Sequence, residues 1–196
     1  MITIDEITLV RGGREIIYDY SEQIPAGSIT VIVGPNGSGK STLLAAIAGD
    51  YAPEKGTITI DGLHPILTSP AQLAQIRACA VQNQSFTLGF TVRQVIEMAG
   101  PANEVIDRLA LLEIADRQVT TLSGGEAQRV AIAQAIAQKT PVLLLDEPLS
   151  AQDSHSRKRI IEYLTELAEA GVTVVLVAHS NESELTWADK VIKQFH

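Results

Sequence analysis

The sequence predicts an α/β fold organised around a mainly parallel sheet, and three observations carry that expectation. Residues 142–145 and 172–178 are almost continuously apolar, as strands covered on both faces must be. They alternate with helix-length patterns over 125–138 and 153–170. A β-branched run at 28–33 stops at Gly34-Pro35 and soon gives way to good helix formers.

Taken in order, residues 2–7 alternate as a half-buried strand, and Arg11-Gly12-Gly13-Arg14 breaks the run. After the 28–33 strand comes a helix over 41–48 (STLLAAIA) that ends at Gly49. Gly56-Thr57-Ile58-Thr59-Ile60 reads as a short strand closed by a turn at Asp61-Gly62. From 69 to 117 the pattern is mostly helical, with apolar positions at Val95, Ile96 and Ala99 and again at Val105, Ile106, Leu109 and Leu112. We take 69–117 as a helical insert in one domain over 1–196, whose core is 1–68 and 118–196.

At 196 residues the chain can bury a core without a disulfide or structural metal. Its 15 Lys+Arg against 23 Asp+Glu give a formal charge of −8, which argues against a nucleic-acid partner, because backbone binding needs clustered cations. Small anions stay open, since they are held locally. The single cysteine, Cys79, excludes an intrachain disulfide and is compatible with a reducing compartment. No basic and apolar leader precedes the first strand pattern, so no secretion signal is expected. The longest apolar stretch, 172–178, is too short to span a bilayer. His64, His155 and His196 lack partners at metal-ligand spacing.

Three strings carry chemistry. Gly34-Pro35-Asn36-Gly37-Ser38-Gly39-Lys40-Ser41 matches G-x-x-x-x-G-K-[ST] and sits between a strand and a helix, where a phosphate-binding loop must sit. Its glycines let successive N–H groups face one phosphate, Lys40 reaches the terminal phosphates and Ser41 offers a hydroxyl to Mg²⁺. Residues 34–41, with Thr42, are therefore the candidate nucleotide contacts. Val142-Leu143-Leu144-Leu145-Asp146-Glu147 delivers two acids to the carboxyl end of a buried strand, the edge at which open α/β sheets bind ligands. Asp146 is the candidate Mg²⁺ holder, and Glu147 the candidate base for a water in line with the γ-phosphate. Leu122-Ser123-Gly124-Gly125-Glu126 opens a helix and offers a second anion cradle, although Ser123 also reads as an ordinary N-cap. The first loop already encloses its phosphates, so the second cradle must approach the same nucleotide from elsewhere or serve another subunit; a head-to-tail dimer satisfies both.

These residues resemble the ATP-binding cassette (ABC) ATPases, the motor subunits of ABC transporters, over nearly the whole chain. The LSGGE string resembles their signature motif, and the order of motifs is also theirs. The resemblance implies a P-loop NTPase core with an N-terminal antiparallel β part and a helical insert, ATP as substrate and Mg²⁺ as cofactor. It implies that Ser123, Gly124 and Gly125 complete the ATP site of a second copy. Gln82, preferred over Gln84 for its spacing to Phe90-Thr91-Val92, resembles the glutamine that contacts Mg²⁺ and the attacking water. Asp153, in Ser150-Ala151-Gln152-Asp153, falls in the loop that reaches across the dimer, where Gln152 replaces the family's commoner leucine, and His179 resembles the histidine that touches the γ-phosphate. The aromatic residue that usually stacks on adenine is missing. Arg11 stands near its place and can lay a guanidinium plane on the base. Tyr18 and Tyr20 are the alternatives, with core packing their other role.

The region 85–100 resembles the permease-facing part of bacterial importers for iron-siderophore, haem and metal ions. The resemblance therefore implies an integral permease partner, a substrate-binding protein and a place on the inner face of the cell membrane. A separate-subunit exporter ATPase and a soluble ABC ATPase are the alternatives. A metabolite kinase is disfavoured by LSGGE and by a carboxylate placed to activate water.

Overall fold

The computed structural model describes residues 1–81, 89–179 and 182–193. Its strands are β1 (Ile2–Arg11), β2 (Arg14–Ile24), β3 (Ile29–Val33), β4 (Lys55–Ile60), β5 (Arg77–Ala80), β6 (Val142–Asp146), β7 (Thr173–Ala178) and β8 (Lys190–Lys193). Its α-helices are α1 (Lys40–Ala48), α2 (Pro70–Ile76), α3 (Val92–Glu97), α4 (Asn103–Arg108), α5 (Gly124–Ala137) and α6 (Ser154–Glu169).

The strands form two sheets. One is antiparallel with order β2-β1-β4, and the other is parallel with order β5-β6-β7-β3-β8. The strand expected over 2–7 extends to Arg11, but its alternation breaks: Asp5 and Glu6 are both exposed, Ile7, Thr8 and Leu9 are all buried, and the register against β2 shifts between Ile4 and Ile7. A two-residue Gly12-Gly13 turn then sets Arg11 opposite Arg14 at the hairpin tip. Strand β2 was not legible in the sequence, because its exposed face mixes charged residues with Tyr18.

Side-chain alternation explains why the parallel strands are apolar throughout. Leu143, Leu145, Val174, Leu176, Ile29 and Val31 face a cluster with α5, α6 and the helical segment. Val142, Leu144, Val175, Val177 and Ile32 face a second cluster with α1 and the antiparallel sheet. Each fully buried side chain of this kind contributes about 1.5–3 kcal/mol of transfer free energy, so both faces hold the sheet in register.

The expected helical insert over 69–117 needs one correction. It contains β5, which pairs with β6 through Arg77 opposite Val142 and Ala80 opposite Leu145. Its alternately buried, alanine-rich sequence has weak strand propensity, and pairing with β6 overrides it. The helices beyond it, α3 and α4, pack on α5. Among the described residues, no helix is long and apolar enough to cross a membrane.

Candidate nucleotide-binding site

Strands β6, β7 and β3 are successive neighbours, so their carboxyl ends bring three sequence-distant segments to one edge. Asp146 closes β6 and Glu147 follows it, His179 follows β7, and Gly34 follows β3.

The loop after β3 turns through Gly39 at φ +96°, where an added Cβ would stand 3.3 Å from Ile17 Cγ1. Position 39 thus favours glycine through both backbone conformation and space. Lys40 opens α1, is 5% exposed, and donates through Nζ to the carbonyls of Gly34 and Pro35, each at 2.8 Å. Burial pushes its ammonium below the ordinary lysine value, while Glu147 and Asp146 pull it back up. Ser38 Oγ is buried, and among the described residues it has no hydrogen-bond partner. An inward hydroxyl of this kind fits a phosphate oxygen. Thr42 is buried in the first turn of α1.

Ser41 Oγ donates to Asp146 Oδ1 at 3.1 Å. Burial pushes the Asp146 carboxyl up; the Ser41 bond pulls it back, and the Glu147 charge raises it further. A hydroxyl beside a carboxylate is a hard-oxygen pair suited to Mg²⁺, which takes few protein ligands and completes its shell with water and phosphate. Glu147 lies at φ +50°, a left-handed conformation that costs about 1–3 kcal/mol for a non-glycine residue. Its Oε1 is 2.6 Å from His179 Nε2. With Glu147 ionised, Nε2 carries the proton and donates.

One cavity of about 800 Å³ is lined by Asn36, Gly37, Gly39, Lys40, Ser41, Thr42, Glu147 and His179, with Arg11 and Ile16 from the hairpin. Gly34, Pro35, Ser38 and Asp146 stand behind that lining. Ile16 was missed because β2 was missed. Its signal is the Ile16-Ile17 pair, of which Ile17 enters the core and Ile16 is left for the cavity. Neither tyrosine lines the cavity. Tyr20 packs against the core, whereas Tyr18 is 62% exposed, so the expected packing role fails for Tyr18. Gln82 and its alternative Gln84 lie outside the described residues.

Ser123, Gly124 and Gly125 do not line this cavity. Ser123 Oγ accepts from Glu126 N–H at 3.3 Å, and the Glu126 carboxylate accepts from Ser123 N–H at 2.8 Å, a reciprocal cap on α5. That cap uses the hydroxyl oxygen as an acceptor, and the same hydroxyl bonds the Glu126 carboxylate. Helix geometry leaves the N–H groups of Gly124 and Gly125 without intrahelical acceptors. The bond from Ser123 N–H, aided by Arg117 at 3.0 Å, holds the Glu126 carboxyl below its ordinary range. A Cβ on Gly125 would stand 2.6 Å from the Ala151 carbonyl oxygen.

Asp153, expected to act across the dimer, caps α6 and does not line this chain's own cavity. It accepts from His155 N–H at 2.9 Å, Ser156 N–H at 3.0 Å and Ser156 Oγ at 2.7 Å. Aspartate is among the best N-caps, and these bonds, the Ser156 ones foremost, lower its pKa to about 2. A folded pKa below the unfolded value adds stability that is present above about pH 4 and disappears as pH falls towards 2. We predict that Asp153→Asn, which retains a capping oxygen, melts slightly below wild type at pH 6 and level with it near pH 2. Thermal melts across that range measure the gap.

Comparison with known proteins agrees with this geometry. The ABC transporter family profile matches residues 17–150. The chain is 38% identical to the hemin import ATP-binding protein HmuV of Rhodococcus jostii, over 96% of this chain and 69% of that protein. It is 35% identical to the cobalamin import ATP-binding protein BtuD of Halobacterium salinarum, over 92% of this chain and 49% of that one. A dimeric bacterial ABC transporter cassette superposes with a TM-score of 0.84 at 27% identity, covering 99% of this chain and 94% of its own. With the phosphate loop, the paired acids and the capped LSGGE helix in place, the chain belongs to the ABC transporter family as an ATP-binding, ATP-hydrolysing subunit.

Proposed function

We propose that two copies of this chain enclose ATP between them head to tail, and that hydrolysis drives a haem, iron-siderophore or metal importer. One observation carries the two-copy reading: Lys40, Ser41, Glu147 and His179 line a single cavity, while the second anion cradle at Ser123 to Gly125 stands outside it. A cradle that does not line its own chain's nucleotide cavity has a use when a partner presents a nucleotide to it. The importer reading rests on the relatives named for hemin and cobalamin import.

In this reading the N–H groups of residues 34–41 and the Lys40 ammonium hold the phosphates. Ser41 and Asp146 hold Mg²⁺, with Gln82 joining them by family resemblance; the ion neutralises charge on the β- and γ-phosphates when bound. Glu147 takes a proton from water as its oxygen bonds to the γ-phosphorus, and the bond to the bridging oxygen breaks to release ADP. His179 holds the Glu147 carboxylate through its Nε2 proton before nucleotide enters and turns that one N–H to the γ-phosphate when nucleotide is bound. Ser123 and the Gly124 and Gly125 N–H groups of the second copy close over the same phosphate. Asp153 acts by fixing the start of α6. Arg11 stacks on the adenine with Ile16 packed beside it, since both line the cavity.

The permease docks at the exposed Phe90 and Met98, which border a groove with Gln94 and Glu97 beside α3. Such a chain works on the inner face of the cell membrane, with a substrate-binding protein supplying the cargo. Affinity purification from detergent-solubilised membranes, with partners identified by mass, tests the reading. An integral permease encoded for iron, haem or metal uptake is the expected partner. Recovery without any membrane protein would contradict it.

A further inference from the structure

We propose that Tyr51 is a positioning residue for the base end of the site: its hydroxyl fixes the tip of the β1–β2 hairpin and so sets Arg11 where it stacks on adenine. The inference rests on the stacking of Arg11 proposed above. Strand pairing alone holds that tip weakly. On one side of β1, the register with β4 ends at Thr8 opposite Lys55. On the other, Leu9 lies opposite Ile17 and Val10 opposite Glu15, so Ile16 is an extra residue, a bulge that re-aims its side chain. Arg11 follows at the tip, exposed, and among the described residues its side chain has no hydrogen bond or ion pair. The backbone of the tip therefore decides where its guanidinium points.

Tyr51 supplies the bond that β4 does not. Helix α1 closes at Gly49, which stands at φ +83° and whose added Cβ would lie 2.9 Å from Pro65. The chain then folds back on the helix, with Asp50 N–H donating to the Ala45 carbonyl at 2.9 Å and Tyr51 N–H at 3.2 Å. The Tyr51 backbone is thus anchored to the helix end. Its half-buried ring packs against the core shared by α1 and the antiparallel sheet, and its hydroxyl donates to the Val10 carbonyl. Three residues on, Glu54 N–H donates to the Thr8 carbonyl at 2.9 Å, so residues 51–54 run along β1 where β4 leaves it. At its other end α1 begins with Lys40 in the phosphate loop, where a Cβ on Gly39 would stand 3.3 Å from Ile17 Cγ1 and 3.6 Å from the Ile16 carbonyl oxygen. One nine-residue helix, about 14 Å long, therefore seats the hairpin at both ends and fixes the spacing between phosphate grip and base platform.

The test is a double-mutant cycle on the full-length chain, with Tyr51→Phe, Arg11→Ala and the pair. Each is titrated calorimetrically with MgATP and with magnesium tripolyphosphate, which carries the phosphates without a base. Phenylalanine keeps the ring in the core and removes only the hydroxyl. Tyr51→Phe is expected to weaken ATP about fivefold, the loss of one neutral hydrogen bond, while tripolyphosphate affinity stays within about 1.5-fold of wild type. Arg11→Ala weakens ATP further than Tyr51→Phe does, since it removes the platform rather than its aim. In the Arg11→Ala background, Tyr51→Phe costs less than about 1.5-fold, because the side chain it positions is gone. A role confined to folding the 51–54 segment predicts equal losses for ATP and tripolyphosphate in both backgrounds. That pattern overturns the inference, as does unchanged ATP affinity in Tyr51→Phe, or losses that simply add in the pair. An Arg11→Ala chain that binds ATP as tightly as wild type overturns the stacking reading itself, and the inference with it.

Discussion

Replacing Glu147 by glutamine is expected to reduce steady-state ATP turnover by at least about a hundredfold while leaving ATP binding intact. The amide has the size and shape of the carboxylate, and its oxygen still accepts from His179 Nε2, which now lies 2.6 Å from Oε1. The left-handed backbone at 147 is untouched, so the residue stays where β6 puts it. What the amide lacks is basicity, because it cannot take a proton from the attacking water. It also removes a negative charge near the terminal phosphate, so nucleotide affinity should hold or rise. Phosphate release measured beside equilibrium binding separates the two effects. Undiminished hydrolysis would remove Glu147 as the base.

Lys40→Ala should instead act on binding, weakening ATP by about 100- to 1,000-fold. A charge-assisted hydrogen bond is worth about 1.5–3 kcal/mol, and one ammonium can make more than one to the phosphates. Lys40 opens α1 and alanine is the best helix former, so the helix itself survives. The largely buried ammonium already sits over the loop through Gly34 and Pro35, with Glu147 and Asp146 close enough to act on its charge. Removing it leaves two acids facing the phosphates without a cation from this loop. Calorimetric titration with ATP reads the loss, and affinity unchanged within threefold would remove Lys40 from the phosphate contacts.

The parts of the site visible in the sequence are those where local chemistry and strand order coincide. The glycines and Lys40 announce a phosphate loop through residue types that few other structures need, and the unbroken apolar runs of β6 and β7 place Asp146, Glu147 and His179 at strand ends. Strand β5 was hidden because Arg77-Ala78-Cys79-Ala80 has no strong β former, and only its neighbour β6 makes it a strand. Ile16 was hidden in a strand whose alternation is blurred by charge. Asp153 is legible as an N-cap too, since aspartate just before a helix favours capping, and its bonds to His155 and Ser156 make that cap. Tyr51 shows no chemistry in sequence, since its partner is a backbone carbonyl 41 residues away.

The sharing of each nucleotide between two copies is tested most directly by sedimentation velocity of Glu147→Gln with and without MgATP. Since the variant binds without turning over, the 21.0 kDa chain should double in mass when ATP is added, carry one nucleotide per chain, and return to a single chain when ATP is removed. A variant that stays a single chain with ATP bound at every protein concentration, while wild type hydrolyses at a rate per chain independent of concentration, would contradict the composite site.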